Sequence, residues 1–352
     1  MLLPITLILI GWALHAMGSI LVPLVFGAFV ALLVYPVDHA VSQILPRQLG
    51  WVGHIAAMLI VVLVGASFLG ALVLAAQQTA EQAPFSQDDL SRFFAMFTPD
   101  TAAQEGEEAG QLEPLASMFT TMTETAAGWA SGLAGSMVGA TGTLLTSAVL
   151  IFFVTLLALL EAPKWRDQVS NVFDRDAARN SCEVMGKIAG RLRRYLLIRT
   201  ALGLATSALY GVWLWWFDID LLIVWMLLAF LLNFIPTFGS LVSGILPVAY
   251  AFTQLETGPA FVVGTGIFMI EQVMGNFVDP RVQGQQLSIS PMVILIALLF
   301  WGWIWGIAGA VLAVPLMITI LIFLLHVPML DPLALFISNA RSLEELKRIM
   351  DS

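Results

Sequence analysis

Runs of apolar residues on the scale of a bilayer's thickness recur along this chain, and they restrict its fold more than any other feature. A helix needs roughly 20 apolar residues to cross a hydrocarbon core about 30 Å thick. Lipid offers no hydrogen bonds, so only helices and closed barrels can cross it. Ile20–Tyr35, Trp51–Ala76 and Thr141–Leu160 are such runs, almost free of charge. Composition agrees. Charged types make up 11% of the chain and apolar types 59%, whereas a soluble domain carries about 25% charge. So little charge cannot cover a water-facing surface, which excludes a soluble enzyme, a nucleic-acid binder and a disordered tail protein. The net charge of −9 also has the wrong sign for a phosphate backbone. The single cysteine, Cys182, excludes a disulfide framework or a cysteine-rich metal site. The expected fold is an all-α polytopic membrane protein.

Met1–Ala16 is apolar and lacks a basic start, so it reads as a span and not as a cleaved signal. A turn at Gly18-Ser19 pairs it with Ile20–Tyr35 as a tight helical hairpin. Pro36 is expected to end that helix, leaving Asp38, His39 and Arg47 in a polar loop before Trp51, an interfacial aromatic. Residues 77–125 hold nine acids against Arg92 alone, an acidic insertion. Leu112, Leu115, Phe119, Met122, Ala126, Trp129, Leu133 and Met137 follow it as one helical stripe. Gly128/Gly132 and Gly135/Gly139 would let that stripe pack closely, within the chain or between protomers. Residues 161–199 hold nine bases against five acids. Val184, Ile188, Leu192 and Leu196 share a face there, as expected of a helix lying on the membrane surface. Basic loops stay in the cytoplasm. The N-terminus and 161–199 are therefore expected inside, and 77–125 outside. The chain divides into 1–76, 77–140, 141–199, a transport core at 200–330 and a tail at 331–352, read as a short amphipathic or solvated helix.

In the second half the spans break. Tyr195–Phe217 is a fifth span, closing at Trp213, Trp215 and Trp216. Leu221–Leu232 and Leu241–Phe252 are each short for a span and meet at Asn233-Phe234-Ile235-Pro236-Thr237-Phe238-Gly239-Ser240. Pro236 removes a backbone donor and Gly239 loosens the helix. A helix–break–helix hairpin fits, with two short ordinary spans as the other reading. Pro259–Gly275 contains Glu271 and Gln272 and runs into Asn276-Phe277-Val278-Asp279-Pro280-Arg281-Val282-Gln283-Gly284. Leu287–Gly306 and Ile307–His326 are split by Gly302-Trp303-Ile304-Trp305-Gly306, a second expected hairpin. Paired interrupted segments point to a transporter's binding site. The candidate pathway residues are therefore Asn233, Pro236, Thr237, Gly239, Glu271, Asn276, Asp279, Arg281, Gln283 and Gly284.

Three functions compete. Export of a small polar solute needs uncharged hydrogen-bonding groups, which Asn233, Thr237, Ser240, Ser243, Asn276, Gln283, Gln285 and Gln286 could supply. Cation/proton antiport needs a carboxylate within the membrane for which proton and cation compete. Glu271 is the first candidate and Asp279 the second. Their structural alternatives are a helix-end or paired acid for Glu271, and a capping residue paired to Arg281 for Asp279. An enzyme or an inert scaffold is the third. His15, His39, His54 and His326 show no ligand spacing, and no G-x-S-x-G or Walker sequence occurs. The expectation is not an enzyme, with no cofactor and no metal.

Phe234-Ile235-Pro236-Thr237-Phe238-Gly239, Glu271 with Asn276 and Pro280, Gly284, Ser290-Pro291, Gly306-Ile307-Ala308-Gly309 and Ala313-Val314-Pro315-Leu316 follow in order. Pro23, Tyr35-Pro36 and Phe152-Phe153 agree in the first half. This string resembles the autoinducer-2 exporter family of bacterial and archaeal membrane proteins, also called the PerM-like permeases. The resemblance implies a secondary transporter of the bacterial inner membrane, with about eight transmembrane spans, including two broken or re-entrant helical hairpins. Some relatives are linked to autoinducer-2 export and others to sodium or lithium exchange for protons. It further implies a homo-oligomer, with a pentamer as the expected assembly, built from a moving transport part and a static scaffold. The partners implied are the lipid bilayer and a small polar solute, or a monovalent cation and a proton.

The charge asymmetry makes a direct prediction. In a Cys182→Ser background, a cysteine at Glu107 should react with an impermeant maleimide from outside the cell. Reaction from the cytoplasmic side alone would invert the topology.

Overall fold

A computed structural model describes residues 2–44, 46, 51–82, 145–162, 164–165, 168, 175–236, 238–283 and 289–351. They are helical almost throughout, in keeping with the all-α expectation, with one isolated bridge between Ile289 and Ser338. The helices are α1 (Leu2–Ala16), α2 (Gly18–Ile44), α3 (Trp51–Gln82), α4 (Leu145–Ala162), α5 (Arg175–Trp216), α6 (Leu222–Leu232), α7 (Phe238–Gln254), α8 (Thr257–Val273), α9 (Asp279–Gln283), α10 (Pro291–Leu325), α11 (Asp331–Ile337) and α12 (Leu343–Asp351). Six of the described helical stretches are long and apolar enough to cross a membrane: Gly18–Ile44, Trp51–Ala75, Leu145–Ala162, Glu183–Trp216, Thr257–Val282 and Pro291–Leu325. The apolar helices α1, α6 and α7 are shorter. The acidic insertion from residue 83 onward and the 112–137 stripe lie outside the described residues.

Two expectations are corrected. Pro36 does not end its helix: α2 continues to Ile44, carrying Asp38 and His39 within it. The Asp38 carboxylate is buried and accepts a hydrogen bond from His54 Nδ1 at 2.6 Å, so a polar residue expected in a loop is held by a partner on α3. The basic stretch is not a separate surface helix either. It runs without interruption into the fifth apolar stretch as α5, with no proline or glycine between Arg191 and Leu202 to break it. Leu192 and Leu196, expected against lipid, are buried in protein.

The chain forms two compact units. The first comprises residues 1–67, 145–202 and 278–352. Within it α2 meets α4 closely: Thr155 Oγ1 donates to the Gly27 carbonyl at 3.0 Å. Helix α10 is two arms, because Trp305 (φ −122°, ψ 15°) and Gly306 (φ 61°, ψ −144°) leave helical geometry. Gly306 takes a backbone conformation that side chains disfavour. The arms fold back on each other: a Cβ on Gly309 would overlap the Trp301 carbonyl, and one on Gly302 would lie 3.8 Å from the Ala310 Cβ. The start of the first arm is tied to the end of α11, where Ser290 N donates to the Ile337 carbonyl at 3.0 Å. The break is clasped by the α1–α2 turn. Trp305 Nε1 donates to the Leu14 carbonyl at 2.9 Å, and His15 Nδ1 donates to the Ile304 carbonyl at 2.6 Å. The Trp305 ring lies against Gly18.

The second unit comprises residues 68–144 and 203–277. Its core joins Tyr210, Leu214, Leu221, Trp225, Ala229, Tyr250, Ala251, Val263 and Ile267. The turn after α5 places Asp218 and Leu221 at positive φ, 52° and 59°. Helices α6 and α7 pack against each other across the turn at Asn233–Pro236. A Cβ on Gly239 would collide with the Leu232 carbonyl, so the two helices touch backbone to backbone at that turn. At the opposite end the Gln254 amide closes on Asp220: Asp220 N donates to Gln254 Oε1 at 3.0 Å, and Gln254 Nε2 donates to the Asp220 carboxylate. The chain thus leaves and returns at one end. Helix α6, with 11 residues, rises only about 16 Å.

Both turns depend on missing side chains. Gly239→Val and Gly309→Val should each lower stability by about 2–3 kcal/mol through overpacking. Gly258→Ala, which meets no neighbour within 4 Å, should be neutral in the same thermal unfolding assay in detergent.

Candidate functional site

Glu271 lies in the last turn of α8, just before a π-helical stretch, Met274–Val278. Widened turns of this kind recur at functional sites. Tyr210 Oη, from α5, donates to Glu271 Oε1 at 2.6 Å. Ser243 Oγ, from α7, lies 3.3 Å from the same oxygen and 3.2 Å from the Ser240 carbonyl. Its single hydroxyl hydrogen serves one of these acceptors at a time. Three helices therefore converge on one carboxylate. Tyr210 is fully buried and Ser243 is 3% exposed, while Glu271 is half-buried. Gly244 keeps this niche open: a Cβ there would lie 3.7 Å from Tyr210 Oη and 4.0 Å from Glu271 Cγ. The surroundings are apolar, with Ile267, Val263 and Ala251 packed nearby in the same core. A carboxylate in such a place can hold a proton, accept hydrogen bonds from a solute, or meet a cation.

Tyr210 was not among the expected site residues. It sits in a run that reads as an ordinary apolar span, and burial of its ring alone would satisfy that reading. A tyrosine hydroxyl deep inside a span needs a hydrogen-bond partner, and that need is the signal the sequence did carry.

The other candidates are placed as follows. Asn233 ends α6, its backbone N–H bonded to the Ala229 carbonyl at 3.1 Å, with its side-chain amide beside Gly203. Pro236 and Gly239 form the turn into α7, where Gly239 N donates to the Ile235 carbonyl at 2.9 Å. Asn276 is exposed and donates its side-chain amide to Gln272, one turn back on its own segment. Thr237 and Gly284 lie outside the described residues, as do Gln285 and Gln286. Gln283 is the last residue of α9, where Arg281 is exposed. Asp279 begins α9 and has a partner the sequence did not suggest: Arg199 of α5, at 3.4 Å, whose side chain is 6% exposed. The Arg199 guanidinium also lies 5.9 Å from the centre of the Tyr195 ring. Asp279 is thus the partner of the buried Arg199 in the first unit, and Glu271 is a member of a hydroxyl-lined niche in the second. Among the described residues no group of three or more His, Cys, Asp or Glu side chains could hold a metal ion.

The AI-2E family transporter profile matches residues 3–329. This chain belongs to that family. The AI-2 transport protein TqsA of Escherichia coli (strain K12) is 32% identical over 180 residues, 51% of this chain and 52% of that protein. A protein of Borreliella burgdorferi, named only provisionally as a transport protein, is 27% identical over 206 residues, 58% of this chain and 57% of its own. A Mycobacterium tuberculosis protein, MT0215, with the same provisional name, is 24% identical over 316 residues, 86% of this chain and 82% of its own. The chain spans about half the length of the first two of these relatives. Its family and its membrane-length helices indicate a multi-pass membrane protein, which fits the non-enzymatic expectation.

The Arg199–Asp279 pair has its own test. Removing one partner of a buried pair strands a charge, at a cost of about 3–5 kcal/mol. Asp279→Ala should lower the unfolding temperature clearly, and the double variant Arg199→Met/Asp279→Leu should recover most of the loss.

Proposed function

We propose that this AI-2E family member exports a small polar solute such as autoinducer-2 across the bacterial inner membrane. The observation that carries this reading is Glu271, a carboxylate set among apolar helices with Tyr210 and Ser243 as hydroxyl partners. Polar groups in a membrane are costly and mark substrate pathways. The printed name of TqsA supports autoinducer-2 as the solute. Under this reading the α6–α7 and α10 units enter the membrane as re-entrant hairpins. The Ser240 carbonyl, 3.2 Å from Ser243 Oγ, adds a backbone acceptor at the niche for the solute. The transporter works as a homo-oligomer, with a pentamer as the expected assembly, and its N-terminus is cytoplasmic.

A second reading, exchange of sodium or lithium for protons, is favoured by the same carboxylate. A proton and a monovalent cation would compete for Glu271, with the Tyr210 and Ser243 hydroxyl oxygens and the Ser240 carbonyl as further oxygen donors.

Proteoliposomes separate the two. Glu271→Gln should abolish sodium-dependent proton flux under antiport. Under solute export it should instead shift the apparent affinity for autoinducer-2 by about tenfold, one lost charge-assisted hydrogen bond. If Glu271→Gln and Asn276→Ala both transport at wild-type rates across pH, Glu271 is not the site.

A further inference from the structure

We propose that Arg193 and Arg194 bind the headgroup of an anionic phospholipid, with its acyl chains lying along α5. This site is separate from the Glu271 niche and does not depend on how that niche is used.

The charge balance along α5 singles out these two residues. No acid occurs between Glu183 and Asp218. Lys187 is paired with Glu183 at 3.1 Å. Arg191 donates through Nη2 to the Ile349 carbonyl near the end of α12. Arg199 is paired with Asp279 at 3.4 Å. Among the described residues, no hydrogen bond or ion pair engages Arg193 or Arg194. Arg194 is exposed and Arg193 is half-buried, so both guanidinium groups are reachable from outside the protein.

Their position on the helix gives the ligand. Residues three and four apart are neighbours on a helix surface. Arg194 and Arg193 lie three and four residues before Leu197. From Leu197 one face continues through Ala201, Leu204, Ala208, Val212 and Trp215, all exposed. Leu197 is 53%, Leu204 58% and Trp215 66% exposed, in a chain whose other α5 face is buried at Leu192, Leu202 and Leu214. Toward the N-terminus the same face carries Gly190, Lys187 and its partner Glu183. A single face therefore turns from basic to apolar between Arg194 and Leu197. That boundary matches an amphiphile with an anionic head and hydrocarbon tails. A free phosphate would use the arginines but leave the apolar face unaccounted for. Guanidinium forks bind phosphate oxygens in pairs, and the apolar stripe supplies the surface for the chains.

The test is lipid binding to the full-length protein in mild detergent, counted by native mass spectrometry with dioleoylphosphatidylglycerol and dioleoylphosphatidylcholine as probes. A basic residue at an anionic membrane surface contributes about fivefold in affinity. Arg193→Gln/Arg194→Gln should weaken phosphatidylglycerol binding at least tenfold and leave phosphatidylcholine binding unchanged. Arg193→Lys/Arg194→Lys should restore most of it, and Arg348→Gln should have no effect. Unfolding temperatures of the variants should match the wild type, because among the described residues no hydrogen bond or ion pair engages either arginine. Inorganic phosphate should not compete. Unchanged phosphatidylglycerol binding in the glutamine variant would overturn the proposal, as would equal competition by inorganic phosphate.

Discussion

Inside lipid, a backbone group released from a helix must find another partner, and this requirement organises both broken segments of the chain. At the α10 break the Ile304 carbonyl is met by the His15 ring. The Trp305 indole meets the Leu14 carbonyl at the neighbouring α1–α2 junction. Two interruptions thus satisfy each other, which gives a histidine and a tryptophan in an apolar setting a clear purpose. At the α6–α7 break the chain closes its own hydrogen bonds through tight turns, with Ile235 N on the Leu232 carbonyl and Gly239 N on the Ile235 carbonyl. In each case a glycine, Gly309 or Gly239, lets backbone approach backbone where a side chain would collide.

The same rule explains the polar side chains of the core. Tyr210, Ser243 and Glu271 come from three different helices and solve each other's hydrogen-bonding needs at one point. Asp38 with His54, and Arg199 with Asp279, do likewise in the other unit. A buried pair of opposite charges holds helices in register with little net gain over an apolar contact. A carboxylate faced only by hydroxyls differs, because it has no fixed countercharge among the hydrogen bonds that hold it. It can therefore exchange a proton or a ligand without stranding an opposite charge. Under the proposed function this contrast favours Glu271 over Asp279, although both sit on the same stretch of chain.

Much of the helical architecture was legible in the sequence because apolar run length is a local property. The spans, the turn at Gly18, the break after Leu232 and the one at Gly302–Gly306 all follow from residue type and spacing. Two local readings failed for instructive reasons. Pro36 removes one hydrogen bond, yet α2 continues past it to place Asp38 against His54. The basic stretch before Tyr195 is amphipathic, yet Leu192 and Leu196 found protein instead of a lipid surface to bury them. Amphipathicity tells which face is apolar and not what will cover it.

The sequence by itself determined that this chain is a helical membrane protein, where its helices break, and that Glu271 is a carboxylate within an apolar stretch. It also carried the family signature, since the motifs are strings of adjacent residues. Only the tertiary structure decided the partners: Tyr210 and Ser243 for Glu271, Arg199 for Asp279, and His15 for the Ile304 carbonyl. These pairs are separated by 61, 28, 80 and 289 residues. Hydropathy and spacing act over one or two helical turns, whereas a hydrogen-bond partner is chosen by which helices pack side by side.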